Sequence, residues 1–328
     1  MKKSTEQKAK TKKDFGREKI HILFEDENIC VINKPTGLLS VPYPGSRAKT
    51  CESLLEEIYR KRGTLTSKHK PLTVHRLDRD TSGVMVFALN ERTQKIIMET
   101  WHTMVTSRLY RAVAENPKQP VLFLPDSGLI DDELAYNSHN VGFVPKEGDR
   151  PRHHGEKDSI YERNITGHGE NRAFKTVEAR THFKVIERGK THTLFELSLD
   201  TGKKNQIRAH LASKGYPLAG DENYRARTDY FGRLCLHART LEFIHPYTKE
   251  QLHFEVPEPD SWLEYVKNGD PNPKTPVWIK EMHSSFNAKA ESFHNKNNFS
   301  TISGEKRITK KEKSHMDYIQ LGKRNRKK

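Results

Sequence analysis

Apolar and polar positions alternate along several stretches of this chain, and each such stretch predicts a β-strand. The most regular alternation covers residues 177–185, and a Gly-containing turn leads from it into a second alternating stretch at 195–199. Residues 84–89, VMVFAL, are apolar throughout and predict a buried strand. Further predicted strands cover residues 21–25, 28–32, 108–115, 236–244 and 251–256.

Helical spacing of apolar residues predicts three helices between these strands. The first begins after Thr50, a favourable N-cap residue, and ends at Gly63, which tolerates the left-handed conformation common at helix ends. The third covers about 204–214 and ends at Gly215. The second has one apolar face, formed by Ile97, Trp101, Met104 and Val105.

Many antiparallel strands with a few inserted helices predict an α+β fold rather than a regular βαβ array. A stretch at about 116–172 is rich in Gly, His and Asn and has little periodicity, so we interpret it as an insertion that is at most partly ordered. No element is predicted after about residue 257. We therefore expect a folded domain at 20–260, containing the insertion, and an extension at 261–328.

The positive charge of the chain is concentrated at its two ends. Of the formal net charge of +15, residues 1–19 carry +5 and residues 305–328 carry +7. Such segments are usually solvated and flexible, and they can bind polyanions through phosphate contacts without recognising a sequence. We expect two basic tails, of which 1–19 forms an N-terminal segment outside the domain.

The chain carries no sign of secretion, membrane insertion or a disulfide scaffold. Its three cysteines lie far apart and form no CxxC pair, which fits a reducing cytoplasm and disfavours a zinc site. The basic start lacks an apolar segment typical of a signal peptide, and no run of 18 apolar residues is present. We expect a cytoplasmic, monomeric protein without a membrane partner.

The segment HRLDRDTSG at 75–83 places four charged residues directly before the buried strand. A polar turn explains Asp80, Thr81 and Ser82 but requires neither Arg76 nor Asp78. A protein kinase is disfavoured because HRLD is not accompanied by a glycine-rich loop, DFG or APE. A metal-dependent nuclease remains open, with ligands drawn from Asp78, Asp80, Asp221 and Glu222.

Two further segments carry candidate chemistry, although each has an ordinary structural explanation. In TGKKNQIRAHL, 201–211, Lys203, Lys204 and the amides of a helix start suit a phosphate, but an amphipathic helix with a basic start explains them equally. In RLYRAV, 108–113, Tyr110 lies beside Arg108, as stacking on a base would require, but an edge tyrosine has the same pattern.

Taken in order, these segments resemble the RluA family of RNA pseudouridine synthases. The resemblance implies an α+β catalytic fold with a central, mostly antiparallel sheet, flanking helices and an RNA-binding cleft. It also implies conversion of a uridine in structured rRNA or tRNA to pseudouridine without metal or cofactor. The matching pieces are ILFEDENICVINKPTGLLSVP (22–42), HRLDRDTSGVMVFALN (75–90), RLYRAV (108–113), TGKKNQIRAHLASKGYPLAGDENY (201–224) and RLCLHARTLEFIHP (233–246).

The resemblance assigns roles to individual residues. Asp78 matches the catalytic aspartate, and Arg208 matches the basic residue that pairs with it. Tyr110 matches the tyrosine that packs on the target base, and Arg76 matches the residue that fills the vacancy left when a uridine is extruded. The remaining residues expected to bind RNA or the base are Arg79, Thr81, Ser82, Lys203, Lys204, Asn205 and Gln206.

Two positions depart from the family pattern. Asn205 stands where His or Thr is usual, and Arg108 stands where Lys is common; we interpret both as peripheral. The alternative to an enzyme is an RNA-binding or ribosome assembly factor that kept the fold and lost the chemistry. The presence of Asp78, Tyr110 and Arg208 disfavours this alternative.

Overall fold

A computed structural model describes residues 20–43, 45, 48–119, 122–151, 163–167 and 172–271. The two predicted basic tails lie outside these residues. The helices are α1 Cys51–Arg62, α2 Glu91–Met104, α3 Gln206–Ser213 and α4 Ser261–Asn268. The strands are β1 His21–Glu25, β2 Ile29–Lys34, β3 Leu72–Thr73, β4 Ser82–Ala88, β5 Val105–Glu115, β6 Ser127–Ile130, β7 Ala135–Tyr136, β8 Gly142–Phe143, β9 Ile165–Thr166, β10 Ala173–Phe174, β11 Thr181–Arg188, β12 His192–Leu199, β13 Leu236–Ile244 and β14 Gln251–Glu255.

Ten strands form one sheet in the order β1-β2-β4-β13-β5-β12-β11-β6, with β3 paired to β4 and β14 to β13. Most neighbours are antiparallel, but β4 and β13 run parallel where Ser82 pairs with His237 and Gly83 with Ala238. The prediction of an α+β fold with a mostly antiparallel central sheet is therefore confirmed.

The predicted buried strand β4 lies in the middle of the core, and every one of its residues is buried. Successive side chains of a strand point to opposite faces, so β4 serves two layers. Phe87 packs with Leu55 of α1 on one face, and Val86 packs with Ile97 of α2 on the other. These two helices fix β4, and with it the end of the HRLDRDTSG segment.

The helix boundaries follow the predicted signals with one exception. Thr50 and Ser53 form a reciprocal capping box at the start of α1, and Gly63 ends it in the left-handed conformation with φ 75°. Val105 was expected on the apolar face of the second helix, but it is extended and begins β5. Val105 and Thr106 are both β-branched, which favours a strand over another helical turn.

Two regions contain more structure than the sequence pattern indicated. The predicted insertion supplies β6, which pairs with β11 at the edge of the large sheet, and the hairpin of β7 and β8. Beyond residue 257, where no element was predicted, α4 buries Trp262 and Val266 against Val113 and Leu194. The packed domain thus continues past the expected end at residue 260.

The predicted strand at 177–185 is shorter than its alternation suggests. Regular pairing begins only at Thr181, because Val177 forms an isolated bridge to Leu134 in the insertion. In the part of the chain that the structure describes, no helix combines the length and the apolar character needed to cross a bilayer.

Candidate active site

A buried lysine fixes the loop formed by the HRLDRDTSG segment. Lys34, at the end of β2, is fully buried, and its ammonium donates to the carbonyl oxygens of Pro35, Arg79 and Thr81 at 2.9, 2.8 and 2.8 Å. These contacts use all three ammonium protons. Burial lowers the pKa of Lys34 to about 8, so the group is still mainly charged at neutral pH.

Two hydroxyl groups from residues 33–40 (NKPTGLLS), the segment that contains Lys34, add further hydrogen bonds to this loop. The Thr36 hydroxyl donates to the carbonyl oxygen of Asp80 at 2.7 Å. The Ser40 hydroxyl donates to the carbonyl oxygen of Leu77 at 2.7 Å and accepts from the amide of Leu77 at 3.2 Å. The backbone on both sides of Asp78 is therefore held by hydrogen bonds from residues 34–40.

The far end of the loop is fixed by the parallel pairing of β4 with β13. Gly83 has φ +117°, and a Cβ placed there would lie 2.1 Å from the carbonyl oxygen of Ala238. Glycine is required here for both conformation and close approach. The Ser82 hydroxyl lies 2.8 Å from Nδ1 of His237 and accepts from Arg233 at 2.6 Å.

Asp78 projects from this loop into a cavity of about 380 Å³, and its side chain keeps a fifth of its surface exposed. One oxygen, Oδ2, accepts from the Asn205 side-chain amide at 2.6 Å and from the Arg208 guanidinium at 3.2 Å. Hydrogen bonds from an amide and a cation stabilise an ionised carboxylate. Asn205, interpreted as peripheral from the sequence, is therefore in direct contact with Asp78.

Arg208 is held in place by a second carboxylate. Its Nε and NH2 groups donate to Asp221 at 2.7 and 2.8 Å, both inside the protein. The guanidinium also lies 5.1 Å from the centre of the Tyr224 ring. Burial lowers the pKa of Arg208, but the hydrogen bonds and charge of Asp221, together with the charge of Asp78, outweigh it and raise the pKa overall.

Tyr110, in the middle of β5, is half-buried and lines the same cavity as Asp78. Burial raises the pKa of its phenol, and the negative charge of Asp78 acts in the same direction, while Arg108 opposes it. The phenol is therefore protonated at neutral pH. Arg76 is exposed at the wall of the cavity.

The loop between β12 and α3 forms the opposite wall, and Gln206 ties it down. The side-chain Oε1 of Gln206 accepts from the backbone amide of Lys203 at 2.9 Å, and its Nε2 donates to the carbonyl oxygen of Arg180 at 2.8 Å. The helix starts at Gln206, after Asn205 in the left-handed conformation with φ 58°. Lys203 is exposed at this wall.

The residues expected to bind RNA fall into two groups. Arg76, Thr81, Lys203, Asn205 and Gln206 line the cavity with Asp78, Tyr110 and Arg208, whereas Arg79, Ser82 and Lys204 do not. Arg79 is exposed and pairs with Asp80. Partial burial lowers the pKa of Lys204, which lies on the surface nearby.

Ser82 and Gln206 were expected to touch RNA, but both are nearly completely buried and bonded inside the protein. Their hydrogen bonds fix β4 to β13 and the 201–206 loop to β11. Both side chains therefore have partners inside the protein, and only Gln206 also lines the cavity that contains Asp78.

The sequence pattern missed three residues that shape the site. Asp221 was considered only as a metal ligand, and Lys34 and His75 were assigned no role. The available signal was the same for each, namely a polar residue inside a segment that otherwise matched the family. In the part of the chain that the structure describes, no cluster of three or more His, Cys, Asp or Glu side chains is placed to hold a metal ion.

Comparison with known proteins bears directly on this site. The family model described as RNA pseudouridylate synthase matches residues 28–213, a span that includes Asp78, Tyr110 and Arg208. This chain belongs to that family. The synthase is thus an RNA-modifying isomerase, as the sequence motifs predicted.

Individual relatives agree with the family match. The synthase is 33% identical over 250 residues to the RNA pseudouridine synthase YlyB of Bacillus subtilis, covering 76% of this chain and 72% of that one. It is 31% identical over 255 residues to the ribosomal large subunit pseudouridine synthase D of Neisseria meningitidis, covering 74% of this chain but 59% of the relative.

Solved structures support the fold. The human RNA pseudouridylate synthase domain containing 4 aligns with a TM-score of 0.53 at 21% identity, covering 76% of this chain and 92% of that one. The human domain containing 1 protein aligns with a TM-score of 0.52, also at 21% identity, covering 73% and 84%. The sheet and helices of the synthase therefore form the pseudouridine synthase fold.

Proposed function

We propose that this synthase converts a chosen uridine of structured ribosomal RNA to pseudouridine, with Asp78 as the catalytic group. The observation that carries this proposal is the partly exposed Asp78 carboxylate, which one amide and one guanidinium hold inside a cavity of about 380 Å³. The isomerisation breaks the C1′–N1 bond, turns the uracil in place and joins C1′ to C5. The C5 proton leaves and N1 gains a proton, so no external reactant is needed.

This reaction requires one carboxylate beside C1′. It acts either as the nucleophile that attacks C1′ or as the base that removes a sugar proton, and the geometry of Asp78 suits both. Arg208 donates a charge-assisted hydrogen bond to this carboxylate and so fixes its position in the cavity. Asn205 has the same effect through its amide donor.

Tyr110 and Arg76 complete the proposed nucleotide site. A protonated tyrosine on the wall of the cavity offers an aromatic face to the uracil and a hydroxyl near its edge, which can assist removal of the C5 proton. Extruding a base costs a few kcal/mol of stacking, and an exposed cation such as Arg76 can occupy the vacancy in the RNA. Lys203, Lys204 and Arg79 are exposed, which supports the proposal that they contact phosphates.

Ribosomal RNA is the favoured substrate class because several relatives with similar sequences are ribosomal large subunit pseudouridine synthases. Transfer RNA is the second candidate. Cys30, Cys51 and Cys235 are free and buried, which fits a reducing compartment, so we infer that the protein acts in the cytoplasm. We also infer that it acts as a monomer. The two basic tails are inferred to add affinity for phosphates without adding choice of sequence.

The decisive experiment is pseudouridine mapping by carbodiimide modification of unmodified total RNA. Purified wild-type protein and Asp78→Asn are each incubated with RNA that has been refolded and then treated with EDTA. We expect a new pseudouridine with the wild type only, and its position identifies the RNA and the nucleotide. Asp126→Asn, which alters a carboxylate whose side chain is 93% exposed, is the matched control and should act as the wild type does.

Other results separate the alternatives. Tight RNA binding without pseudouridine for either protein would favour the non-catalytic assembly factor. RNA cleavage that needs Mg²⁺ would favour the nuclease. That alternative is weakened because the carboxylates of Asp78 and Asp221 both contact Arg208, a cation that competes with a metal for them.

A further inference from the structure

A second cavity, of about 220 Å³, lies directly beside the one that contains Asp78. The two cavities share a wall formed by four residues, Trp101, His102, Arg108 and Leu199. Neither Asp78 nor Tyr110 lines the second cavity. The two neighbouring cavities together therefore offer space for more RNA than the single nucleotide that the reaction converts.

Trp101 forms the part of this wall best suited to a base. It lies in the last turn of α2, is partly exposed and lines both cavities. One side of its ring system is supported by His75, with ring centroids 4.6 Å apart and planes inclined by 30°. Aromatic side chains of this kind bind unpaired bases by stacking, whatever the base.

The supporting ring of His75 is itself held rigidly. Its Nε2 accepts from the amide of Val86 in the buried strand β4 at 3.1 Å. Burial, reinforced by the charge of Arg108, lowers the pKa of His75 to about 3, so the ring is neutral at physiological pH. A fixed, uncharged support holds Trp101 in one orientation before RNA arrives, which reduces the entropy lost on binding.

Arg108 lies at the boundary of the two cavities, where a phosphate would join two successive nucleotides. Its NH2 group donates to the carbonyl oxygen of Leu199 at 2.9 Å, which anchors the guanidinium while NH1 approaches Gly202. A guanidinium with several donors suits a phosphodiester. Asp200 also lines the second cavity, and its Oδ2 lies 3.1 Å from Nε2 of His182; its carboxylate oxygens are acceptors, so they suit a base that presents an amino group.

We propose that this second cavity is a binding site for the unpaired nucleotide next to the target uridine, with its base stacked on Trp101 and the shared phosphate at Arg108. The inference rests on the proposed function, since the first cavity must hold the uridine. It goes further by defining the substrate as two adjacent unpaired nucleotides. It also assigns to Trp101, outside the motifs that resemble the family, a part in choosing the RNA.

The test compares RNA pentamers that carry a central uridine and differ at its two neighbours. One set has adenine on both sides, and two others have an abasic ribose on the 5′ or the 3′ side, which removes a base but keeps its phosphate. Binding is measured by fluorescence anisotropy at low salt, in the Asp78→Asn background to prevent turnover. In that background we compare Trp101, Trp101→Ala and Trp101→Phe.

We expect one abasic substitution to weaken binding about 10-fold when Trp101 is present and not at all with Trp101→Ala. Trp101→Phe should keep most of the difference because it retains a ring. Met98→Ala, which truncates an exposed side chain on the same helix, should bind as the unaltered background does. Among pentamers with one altered neighbour, uracil should bind less tightly than adenine, cytosine or guanine, and Asp200→Asn should reduce this difference.

The inference is overturned if both abasic penalties persist at full size with Trp101→Ala, or if no pentamer binds. Failure of the proposed function would be seen in the mapping experiment instead. The wild type would then form no pseudouridine in any RNA, whether or not the pentamers bind. A normal pseudouridine signal with unchanged abasic penalties would leave the function intact and remove the second site.

Discussion

Asp221 holds Arg208 with two hydrogen bonds of 2.7 and 2.8 Å, and this leaves a single guanidinium nitrogen, NH1, for Asp78 at 3.2 Å. The shorter, bidentate contact fixes the plane of the guanidinium. The longer contact brings the positive charge of Arg208 next to the Asp78 carboxylate in the cavity. We infer that Asp221 acts on the proposed reaction through Arg208, as a positioning residue.

Replacing Asp221 with Asn should lower kcat much more than it changes RNA affinity. The neutral amide can make only one of the two contacts as an acceptor, so Arg208 can turn away from Asp78, and misplacement of about 1 Å can cost about 100-fold in rate. Loss of a buried partner should also reduce the free energy of unfolding by about 3 kcal/mol. Single-turnover kinetics and urea denaturation measure the two effects, with Asp126→Asn as the control.

Asn205→Ala should lower kcat/KM about 10-fold or more, because it removes the 2.6 Å hydrogen bond to the Asp78 carboxylate. Asn205→His should recover much of the loss, since His also carries an N–H donor and tolerates the left-handed backbone at this position. Steady-state assays on the mapped RNA measure both variants. Equal activity of the Ala and His variants would contradict a role for the donor.

Gly83→Ala should be among the most destabilising single-methyl additions in the protein. The added Cβ meets the Ala238 carbonyl oxygen at 2.1 Å, and φ +117° is unfavourable for any L side chain. We expect the midpoint of thermal unfolding to fall by several degrees or more. Gly148→Ala is the control for backbone strain alone, because its φ is +83° but nothing lies within 4 Å.

Acid should destabilise the fold through His237. Burial, together with the charges of Arg233 and Arg239, lowers the pKa of His237 to about 4, although the Val256 hydrogen bond and Glu258 oppose the shift. The unfolded chain binds a proton at this histidine below about pH 6.5, whereas the folded chain does so only near pH 4. Its contribution to the free energy of unfolding is therefore present above pH 6.5 and is lost as the pH falls toward 4.

Removing this histidine should make the protein less sensitive to acid. With His237→Gln, the fall in the free energy of unfolding between pH 6.5 and 4.5 should be smaller than in the wild type, by at most about 1.4 kcal/mol per pH unit. Urea denaturation at these pH values measures the difference. His253→Gln alters an exposed histidine, and a comparable flattening there would contradict the assignment.

The sequence predicted the main strands and helices because their signals are local. Period-two alternation, the Thr50 cap and the Gly63 stop each act within a few residues; the cap and the stop are found where they were expected, and the alternating stretch at 177–185 forms a regular strand from Thr181 onward. The strands inside the insertion and the helix α4 were missed because their order depends on distant partners. Leu134 meets Val177, and Trp262 packs under β5 and β12, neither of which a local pattern reveals.

The candidate site was predictable where family motifs carried it and not where tertiary contacts did. Asp78, Tyr110 and Arg208 could be named from their segments, and the structure brings them to one cavity. The contact from Asn205 and the internal bonds of Ser82 and Gln206 depend on how α3, β4 and β13 approach one another. A residue type in a motif does not say whether its polar atoms face solvent or another strand.

The parallel pairing of β4 with β13 has a consequence for the order of events during synthesis of the chain. Ser82 and its partner His237 are 155 positions apart, so a ribosome has translated the whole HRLDRDTSG segment long before its contact with β13 can form. Contacts between such distant segments form late and slowly. A nascent chain that has exposed Asp78, Tyr110 and even Arg208 still lacks the pairing that fixes one end of this loop, and we expect it to modify no RNA until β13 has emerged.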